Sequence, residues 1–558
     1  MNVSLGKHQT VIEKSLNLVS RERIIARIWQ KDHTVWRKDP TEISNRLGWL
    51  DCLEVTSKSL NEINSFVEEI KKEGFKHALL MGMGGSSLAP EVFRLTFGVK
   101  KEFLDLQVLD STHPEAVLEY ENKLDPTKTL YIVSTKSGGT VETMSFMKYF
   151  FSSVSKKLGK QQASQHFIAI TDPGSGLEEI AKKLNFRKIF LNDPDIGGRF
   201  SALSLFGIVP AALVGIDISK LFNETARLVH ESQSKEISNN SAAKLGTIIG
   251  TLAKEGVDKL TCLISPQLKY LGGWLEQLIA ESTGKDGKGI LPVDLEPFVK
   301  VEEYKNDRVF VYIKLDGDNF FDTKVCELKN AGFPLIEIEL KNIYEIGAEF
   351  FRWEFATAVV GYVLGVQPFD QPNVESAKVA ARSMMKEYSK KGKLPELQPA
   401  LESERIKIYS DVKAKSLTEA LTSFLSNSKT GKSYVAIQAY LKPDEKTWQQ
   451  LQLFRLKILQ KYKVVTTLGY GPRFLHSTGQ LHKGDSGYGF FIQIISDIKR
   501  DISIPDEAGI EKSSISFGTL IKAQALGDRQ AIIDNKRKVL TIDLGVRINE
   551  GLIELNNL

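Results

Sequence analysis

The amino-acid sequence predicts an α/β protein with two doubly wound parallel-sheet subdomains and a smaller C-terminal α/β or α+β domain. Short apolar runs at residues 78–81 and 131–133 have the length and composition of buried strands, and segments with helical apolar spacing alternate with such runs. Because parallel strands need crossover connections, this alternation indicates sheets covered by helices on both faces. The length of 558 residues exceeds one ordinary core and predicts roughly three or four structural units.

The chain divides into four predicted segments. They are an N-terminal helical segment (1–50), a first subdomain (51–220), a second subdomain (221–395) and a C-terminal domain (405–558), with a charged linker over residues 390–404. A helix opens the first subdomain: Ser59 and Glu62 match a capping box, and Gly74 ends the helix. The predicted strands are residues 78–81, 131–133, 167–170, 188–191, 260–264, 309–313, 335–338, 434–440, 464–468, 489–495 and 539–544.

Composition and charge narrow the class of protein. The chain is 42% hydrophobic and 26% charged, and its net charge of +5 is too small for its length to imply a nucleic-acid footprint. The three cysteines, Cys52, Cys262 and Cys326, form no CxxC pair, which disfavours a zinc site or a disulfide framework. The N-terminus lacks a signal-peptide core, and the apolar run 206–216, interrupted by Pro210, predicts a buried helix and not a membrane span. We therefore expect a cytoplasmic protein without a membrane partner.

Two Gly/Ser/Thr loops directly follow predicted strands of the first subdomain. One is GMGGSS at residues 82–87, and the other is STKSGGT at residues 134–140. Glycines let a backbone approach a ligand, hydroxyls donate hydrogen bonds, and the N-terminus of the next helix favours an anion. Neither loop is a Walker A or GxGxxG sequence, so we do not expect a nucleotide. The alternative is that both loops are only tight corners, but two loops with several hydroxyls favour phosphate binding.

Three further segments join these loops in a resemblance to phosphoglucose isomerases. They are GGRFS at residues 197–201, QLIAESTGK at 277–285, and FDQPNVE at 369–375 followed by Lys378. The resemblance covers roughly residues 75–380, in the family's order, and implies sugar isomerase (SIS) subdomains. The tail sequence GPRFLHSTGQLHKG at residues 471–484 resembles the isomerase half of bacterial fused transaldolase–phosphoglucose isomerases.

The resemblance implies a role for each matched position. Glu281 matches the catalytic base, Arg199 the cation beside the reacting carbons, and Lys378 the lysine near the ring oxygen. Substrate-binding positions are Gly85, Ser86, Thr135, Lys136, Ser137, Thr140, Gly198, Gln277 and Gln371. Taken alone, a glutamate on a helix is usually a solvated surface residue, and Arg199 or Lys378 could serve a structural ion pair or helix end.

The implied reaction is the interconversion of glucose 6-phosphate and fructose 6-phosphate through a cis-enediolate. A partly buried carboxylate suits the proton transfer between C1 and C2, and an arginine suits the negative intermediate. Neither a metal nor another cofactor is expected. Two alternatives stay open: an isomerase that also accepts mannose 6-phosphate, because Thr283 replaces the family's usual asparagine, and a phosphosugar-binding module without catalysis. The sequence does not decide whether the chain forms a homodimer.

The chain departs from the family at the histidine that opens the sugar ring. The family has this histidine between the base and the terminal lysine, but here no histidine occurs from Glu231 to Leu475. The tail offers His476 and His482. The run QLHKG at residues 480–484 resembles the family's histidine segment, so His482 is the sequence-based preference, with a structural or phosphate-contacting histidine as the alternative.

Overall fold

We describe the chain from a computed structural model that covers residues 1–557, apart from the side chains of residues 376–378, 386 and 389. Three α/β sheets follow one another along the sequence. The arrangement confirms the predicted fold class of two parallel-sheet subdomains and an additional α/β domain. The exact domain boundaries stay predictions.

The N-terminal segment contains the predicted helices and one strand. Its elements are β1 (Asn2–Ser4), α1 (Gln9–Arg21) and α2 (Ile24–Trp29), and the first subdomain then begins with α3 (Cys52–Ser57) and α4 (Leu60–Lys72). Strand β1 was not expected, and it adds an antiparallel edge to the second sheet. Helix α4 matches the predicted helix, but the side chain of Ser59 makes no capping hydrogen bond, so the predicted capping box does not form.

The first subdomain contains five parallel strands in the order β3-β2-β4-β5-β6. The strands are β2 (His77–Met81), β3 (Asp105–Leu109), β4 (Thr129–Ser134), β5 (Phe167–Thr171) and β6 (Lys188–Leu191). The helices are α5 (Leu88–Phe97), α6 (Pro114–Lys123), α7 (Val141–Leu158), α8 (Lys160–Ser164), α9 (Gly176–Lys183) and α10 (Leu205–Leu213). Every residue of β4 and of α10 is buried, as expected for a central strand and for the apolar run around Pro210.

The second subdomain has the strand order β1-β10-β9-β7-β8, in which only β1 is antiparallel. Its strands are β7 (Lys259–Ile264), β8 (Leu291–Val293), β9 (Arg308–Leu315) and β10 (Leu335–Leu340). Its helices are α11 (Ile218–Ser232), α12 (Ser241–Lys254), α13 (Leu271–Thr283), α14 (Asp322–Asn330), α15 (Ile346–Leu364) and α16 (Val374–Lys391).

The C-terminal domain contains a six-stranded sheet in the order β11-β12-β18-β15-β13-β14 and a small hairpin, β16-β17. Its strands are β11 (Leu401–Glu402), β12 (Lys407–Tyr409), β13 (Tyr434–Ala439), β14 (Val465–Tyr470), β15 (Gly489–Ile495), β16 (Ser503–Ile504), β17 (Ile515–Ser516) and β18 (Lys538–Asp543). Its helices are α17 (Leu417–Leu425), α18 (Glu445–Tyr462), α19 (Gly479–Gly484), α20 (Phe517–Asp534) and α21 (Ile548–Leu555).

The C-terminal domain packs against both subdomains. Phe517 at the start of α20 stacks on Phe146 of α7 with ring centroids 5.8 Å apart. Helix α19 touches the end of α13 so closely that a Cβ on Gly284 would lie 2.3 Å from the Cα of Leu481. These contacts bring residues 471–484 to the region where the two subdomains meet. Within the described part of the chain, no helix combines the length and apolarity needed to cross a membrane.

Candidate active site

The two predicted binding loops lie side by side at one edge of the first sheet. They follow β2 and β4, which are neighbouring parallel strands, so both loops leave the sheet at the carboxyl ends of its strands. The hydroxyl of Ser134 donates a 3.0 Å hydrogen bond to the carbonyl oxygen of Ser86 and ties the loops together. Ligands of open α/β sheets bind at this edge, so the topology supports the sequence-based position of the site.

The second loop, residues 134–140, leads into the N-terminus of α7 and has the features of an anion site. The hydroxyls of Thr135 and Thr140 lie 3.1 Å apart, and Ser137 is exposed. Thr140 precedes α7, and its side chain makes no capping hydrogen bond to the amides of the first turn. Gly138 has a φ of +72°, and a Cβ there would lie 2.2 Å from the backbone nitrogen of Leu177. The tight loop therefore turns hydroxyls and helix N–H groups towards one region.

Lys136 has a different environment from the one that the resemblance implies. Its ammonium contacts the carboxylate of Asp172 and donates a 2.7 Å hydrogen bond to the carbonyl of Pro194. Burial raises the pKa of Asp172, and the contact with Lys136 opposes that rise. The ammonium is thus engaged with the protein's own carboxylate and fastens the loop to the ends of β5 and β6.

Glu281 lies near the C-terminal end of α13 and is held by two donors. Its side chain is 13% exposed, and Nη1 of Arg199 lies 3.3 Å from its Oε1. Gln277, one helical turn earlier on the same face, donates a 3.0 Å hydrogen bond to Oε2. Two of the matched sequence segments, residues 197–201 and 277–285, therefore meet at this carboxylate.

Arg199 connects the segments that carry the predicted site. It lies in a short 3₁₀ turn at residues 198–200, and its side chain is only 4% exposed. Its hydrogen-bond acceptors are the hydroxyl of Ser282 (2.8 Å), the side-chain oxygen of Gln371 (3.0 Å), and the carbonyls of Pro368 (2.6 Å) and Asp370 (2.9 Å). Burial lowers the pKa of the guanidinium, and the charges of Glu281 and Asp370 oppose that shift. These contacts fix the position of Arg199, and one edge of its guanidinium faces Glu281.

Two glycines bring the first loop against the GGRFS segment. A Cβ on Gly85 would lie 1.9 Å from the carbonyl oxygen of Gly198, so Gly85 cannot carry a side chain without displacing that segment. A Cβ on Gly198, by contrast, would meet no atom within 4 Å, and this residue is exposed. Gly198 therefore borders open space directly beside Arg199.

Lys285 is a member of the site for which sequence reasoning named no role. It is buried and donates hydrogen bonds to the carbonyl oxygen (2.5 Å) and the carboxylate (2.7 Å) of Asp370. Burial and the charge of Arg199 lower the pKa of Lys285 to about 8. The lysine fixes the segment that presents Gln371 to Arg199. Its place in the matched sequence ESTGK was a signal that could have found it.

His476 reaches the site from the C-terminal domain. Its Nε2 lies 3.1 Å from Oε1 of Glu142, in the first turn of α7 just after the phosphate loop. A Cβ on Gly84 would lie 2.9 Å from the carbonyl oxygen of His476 and 2.8 Å from the side-chain nitrogen of Gln277. His476 is therefore beside the loop and the amide that contacts Glu281. Sequence reasoning missed Glu142, because no motif distinguishes it from other first-turn acids of helices.

His482, the sequence-based preference for ring opening, lies in the interior of the C-terminal domain. It is 2% exposed, its Nδ1 is 3.2 Å from the side-chain nitrogen of Gln438, and its ring packs 4.9 Å from that of Phe491. Burial lowers its pKa well below the ordinary histidine value. The physical reason is helical geometry: α19 turns His482 towards the sheet of its own domain.

Two other residues that were named from the sequence are not seen at the carboxylate of Glu281. Lys378 belongs to α16, but its side chain lies outside the described residues. Thr283 is fully buried, and its hydroxyl donates to the carbonyl of Ile279 (2.8 Å) and accepts from the N–H of Ile290 (3.0 Å). Among the described side chains, no group of three or more His, Cys, Asp or Glu residues is arranged to hold a metal ion.

The fold and this constellation define a class of protein. Two parallel-sheet units meet at a carboxylate–guanidinium pair, beside a hydroxyl-rich loop at a helix N-terminus, and the fold is that of sugar isomerase (SIS) proteins. The family model "Phosphoglucose isomerase" matches residues 50–290. A probable glucose-6-phosphate isomerase of Methanococcus maripaludis is 30% identical over 385 residues, covering 62% of this chain and 85% of that protein. The chain belongs to the phosphoglucose isomerase family.

Other comparisons agree on the family and the fold. The glucose-6-phosphate isomerase of Staphylococcus saprophyticus is 29% identical over 399 residues, which cover 62% of this chain and 88% of that protein. The crystal structure of a glucose-6-phosphate isomerase from Chlamydia trachomatis has a TM-score of 0.57 at 17% identity and covers 68% of this chain and 86% of that chain. A hypothetical protein from Thermus thermophilus gives a TM-score of 0.59 at 22% identity and covers 68% of this chain and 99% of that chain.

Proposed function

We propose that this chain interconverts glucose 6-phosphate and fructose 6-phosphate, with Glu281 moving a proton between C2 and C1. The observation that carries the proposal is the position of Glu281, which contacts both Arg199 and Gln277. A phosphosugar-binding module would have no need of this carboxylate and guanidinium together. The family gives the aldose–ketose isomerase activity, and the roles below are our assignments.

The phosphate of the substrate is assigned to the loop over residues 134–140. The hydroxyls of Thr135, Ser137 and Thr140 and the first amides of α7 donate hydrogen bonds to an anion there, and the dipole of this long helix adds to the attraction. Ser86 borders the same region from the neighbouring loop. We assign Lys136 to holding the loop through Asp172, not to direct contact with phosphate.

In the assigned proton transfer, the Glu281 carboxylate takes the proton from C2 of the open-chain aldose. The electron pair forms the C1–C2 double bond of an enediolate, whose negative oxygen is stabilised by the guanidinium of Arg199. Glu281 then returns the proton to C1 while the proton of the C2 hydroxyl passes to the oxygen on C1, and the carbonyl is left at C2. A fixed cation beside the developing charge needs no reorganisation during the reaction, which is the main advantage of a site built in this way.

We assign ring opening to His476 in place of His482. A carboxylate can only accept a hydrogen bond, so the contact with Glu142 puts a proton on Nε2 of His476 and leaves Nδ1 to exchange protons with the sugar. Ring opening moves the proton of the C1 hydroxyl away and delivers a proton to the ring oxygen. Lys378 stays a proposed neighbour of that oxygen, on the resemblance alone.

The substrate range and the assembly of the protein are proposed separately from its activity. The hydroxyl of Thr283 is engaged with backbone groups, so its replacement of the family's asparagine is no argument for a second substrate, and glucose 6-phosphate is the proposed aldose. A homodimer and a cytoplasmic location stay predictions. Light scattering after size-exclusion chromatography would measure the mass of the assembly.

A coupled assay tests the proposed function. Wild-type protein should convert glucose 6-phosphate to fructose 6-phosphate, with mannose 6-phosphate as the competing substrate in a second series. Glu281→Gln keeps the shape of the side chain but cannot accept a proton, so turnover should fall by about 10²–10⁴-fold with little change in KM. Glu68→Gln makes the same chemical change at an exposed side chain of α4 and serves as the matched control. Turnover of the Glu281 variant within tenfold of wild type would exclude the assignment.

A further inference from the structure

The carboxylate of Glu142 has a second partner in the C-terminal domain. The side-chain nitrogen of Gln524, on α20, donates a 2.7 Å hydrogen bond to Oε1 of Glu142, the same oxygen that His476 contacts. The side-chain oxygen of Gln524 in turn accepts a 2.8 Å hydrogen bond from the hydroxyl of Thr112, which follows β3. Four side chains from separate parts of the chain thus form the series Thr112–Gln524–Glu142–His476.

The chemistry of the groups fixes the direction of this series. A carboxylate offers only acceptors, so the amide of Gln524 must turn its NH₂ group towards Glu142 and its oxygen towards Thr112. Thr112 must then donate, because an amide oxygen cannot. The reversed amide would place its oxygen against the carboxylate. The orientation of Gln524 is therefore determined at both ends.

Three residues of the series are buried, so the loss of any one of their hydrogen bonds is costly. Thr112 is fully buried, Gln524 is 5% exposed and Glu142 is 6% exposed. Hydrogen bonds in such surroundings are stronger than in water, and a member left without its partner is costly. Glu142 cannot rotate freely while Gln524 holds it, so the carboxylate offers a defined oxygen to the imidazole of His476.

We propose that Gln524 and Thr112 are positioning residues for ring opening, because they hold Glu142 in the orientation that aligns His476. This proposal rests on the proposed role of His476. It gives the C-terminal domain two contributions to the site: the histidine itself, from residues 473–476, and the amide that orients the histidine's carboxylate, from α20. Neither positioning residue touches the substrate.

Ring opening can be measured apart from proton transfer. In protein carrying Glu281→Gln, the exchange between the two anomers of glucose 6-phosphate still requires ring opening but no transfer between carbons. Magnetisation-exchange NMR on the full-length protein gives this rate above the spontaneous background. Thr112→Val removes the hydroxyl with little change in shape, whereas Thr112→Ser keeps it. Gln524→Met removes both polar ends of the amide.

We expect Gln524→Met to slow enzyme-catalysed anomer exchange by about tenfold or more, the effect of losing a hydrogen bond to a charged group. Thr112→Val should slow it by about fivefold, the effect of losing a hydrogen bond between neutral groups. Thr112→Ser should stay near the parent rate. With Glu281 intact, both slow variants should lower kcat on cyclic substrate but leave solvent exchange into an open-chain analogue unchanged, a difference that general loss of structure would not produce.

The outcomes separate this proposal from the proposed function. If His476→Ala slows anomer exchange but neither Thr112→Val nor Gln524→Met does, the positioning role is refuted and the role of His476 stands. If His476→Ala has no effect, the ring-opening assignment is refuted and the positioning proposal with it. Equal slowing by Thr112→Ser and Thr112→Val would also refute the proposal, because the hydroxyl would then not be the cause.

Discussion

Replacing Arg199 by glutamine removes the guanidinium that lies 3.3 Å from the Glu281 carboxylate. In the proposed reaction this cation stabilises the enediolate, so the change acts on the transition state more than on substrate binding. The phosphate is assigned to a separate loop, residues 134–140, and should still anchor the substrate. We therefore expect a large fall in kcat with a small change in KM.

The expected fall in kcat can be estimated from the contacts that the guanidinium of Arg199 makes and from the usual cost of losing such a donor. Three nitrogens of the guanidinium serve four acceptors: the Ser282 hydroxyl, the Gln371 side chain, and the carbonyls of Pro368 and Asp370. Loss of a donor directed at a developing oxyanion costs roughly 2.7–4 kcal/mol, or about 10²–10³-fold in kcat. Arg199→Lys keeps a charge but offers one nitrogen where three are used, so its loss should be intermediate.

The coupled assay gives kcat and KM for both variants, and circular dichroism checks that each is folded. Arg187→Gln is the matched control, because Arg187 also bridges carboxylates, those of Glu69 and Glu73, but away from the site. It should stay within about twofold of wild type, as expected for a partly exposed ion pair. A folded Arg199→Gln variant with kcat within tenfold of wild type would refute the role given to this guanidinium.

Three further predictions follow from the site. Thr140→Ala should raise KM about tenfold with kcat retained, since a hydrogen bond to a charged phosphate is lost. An unchanged KM would show that the phosphate does not bind at this hydroxyl. His476→Ala should slow turnover of cyclic substrate, and a soluble, fully active chain without residues 400–558 would contradict this role. His482→Ala should mainly lower the free energy of unfolding, by about 1–3 kcal/mol, and a loss of turnover without a loss of stability would contradict that expectation. Because the pKa of Lys285 falls from 10.5 to about 8 on folding, the unfolded chain binds more protons between these values, so the free energy of unfolding should gain from this group as pH rises from 8 to 10.5. Urea unfolding at pH 7.5 and 9.5 should show this gain in wild type and a smaller one in Lys285→Met.

The strands that the sequence predicted are those rich in apolar residues. Strands β2, β4, β5, β7, β9, β10, β13, β14 and β15 all overlap a predicted run, as do β6 and β18. Strand β3 was missed because polar residues interrupt its sequence, DLQVL, and β8 because LPV is only three residues long. Both gain their pairing from a neighbouring strand, a tertiary effect that local patterns do not contain.

The residues of the candidate site were also predicted from the sequence only in part. Glu281, Arg199, Gln277 and Gln371 were predicted from matched segments, and the structure brings their side chains into contact. Which histidine joins them depends on how a separate domain packs, and the spacing between two histidines carries no information about that. For the same reason, no local pattern could have indicated the partners of Glu142 in the C-terminal domain.

The engagement of Lys136 with Asp172 shows a further limit of sequence reasoning. A lysine in a hydroxyl-rich loop suits a phosphate, but an acidic residue at the end of the neighbouring strand β5 competes for the same ammonium. The competitor is distant in sequence and becomes a neighbour only through the parallel pairing of β4 and β5.

Solvent deuterium exchange tests the central claim, proton transfer by Glu281, most directly. In D₂O, wild-type protein should introduce deuterium from solvent at C1 of fructose 6-phosphate, observed by NMR, as the carboxylate exchanges its proton during turnover. Glu281→Gln should reduce this incorporation by about 10²–10⁴-fold while anomer exchange continues, since ring opening does not use the carboxylate of Glu281. Deuterium incorporation by Glu281→Gln within tenfold of the wild-type rate would contradict the account.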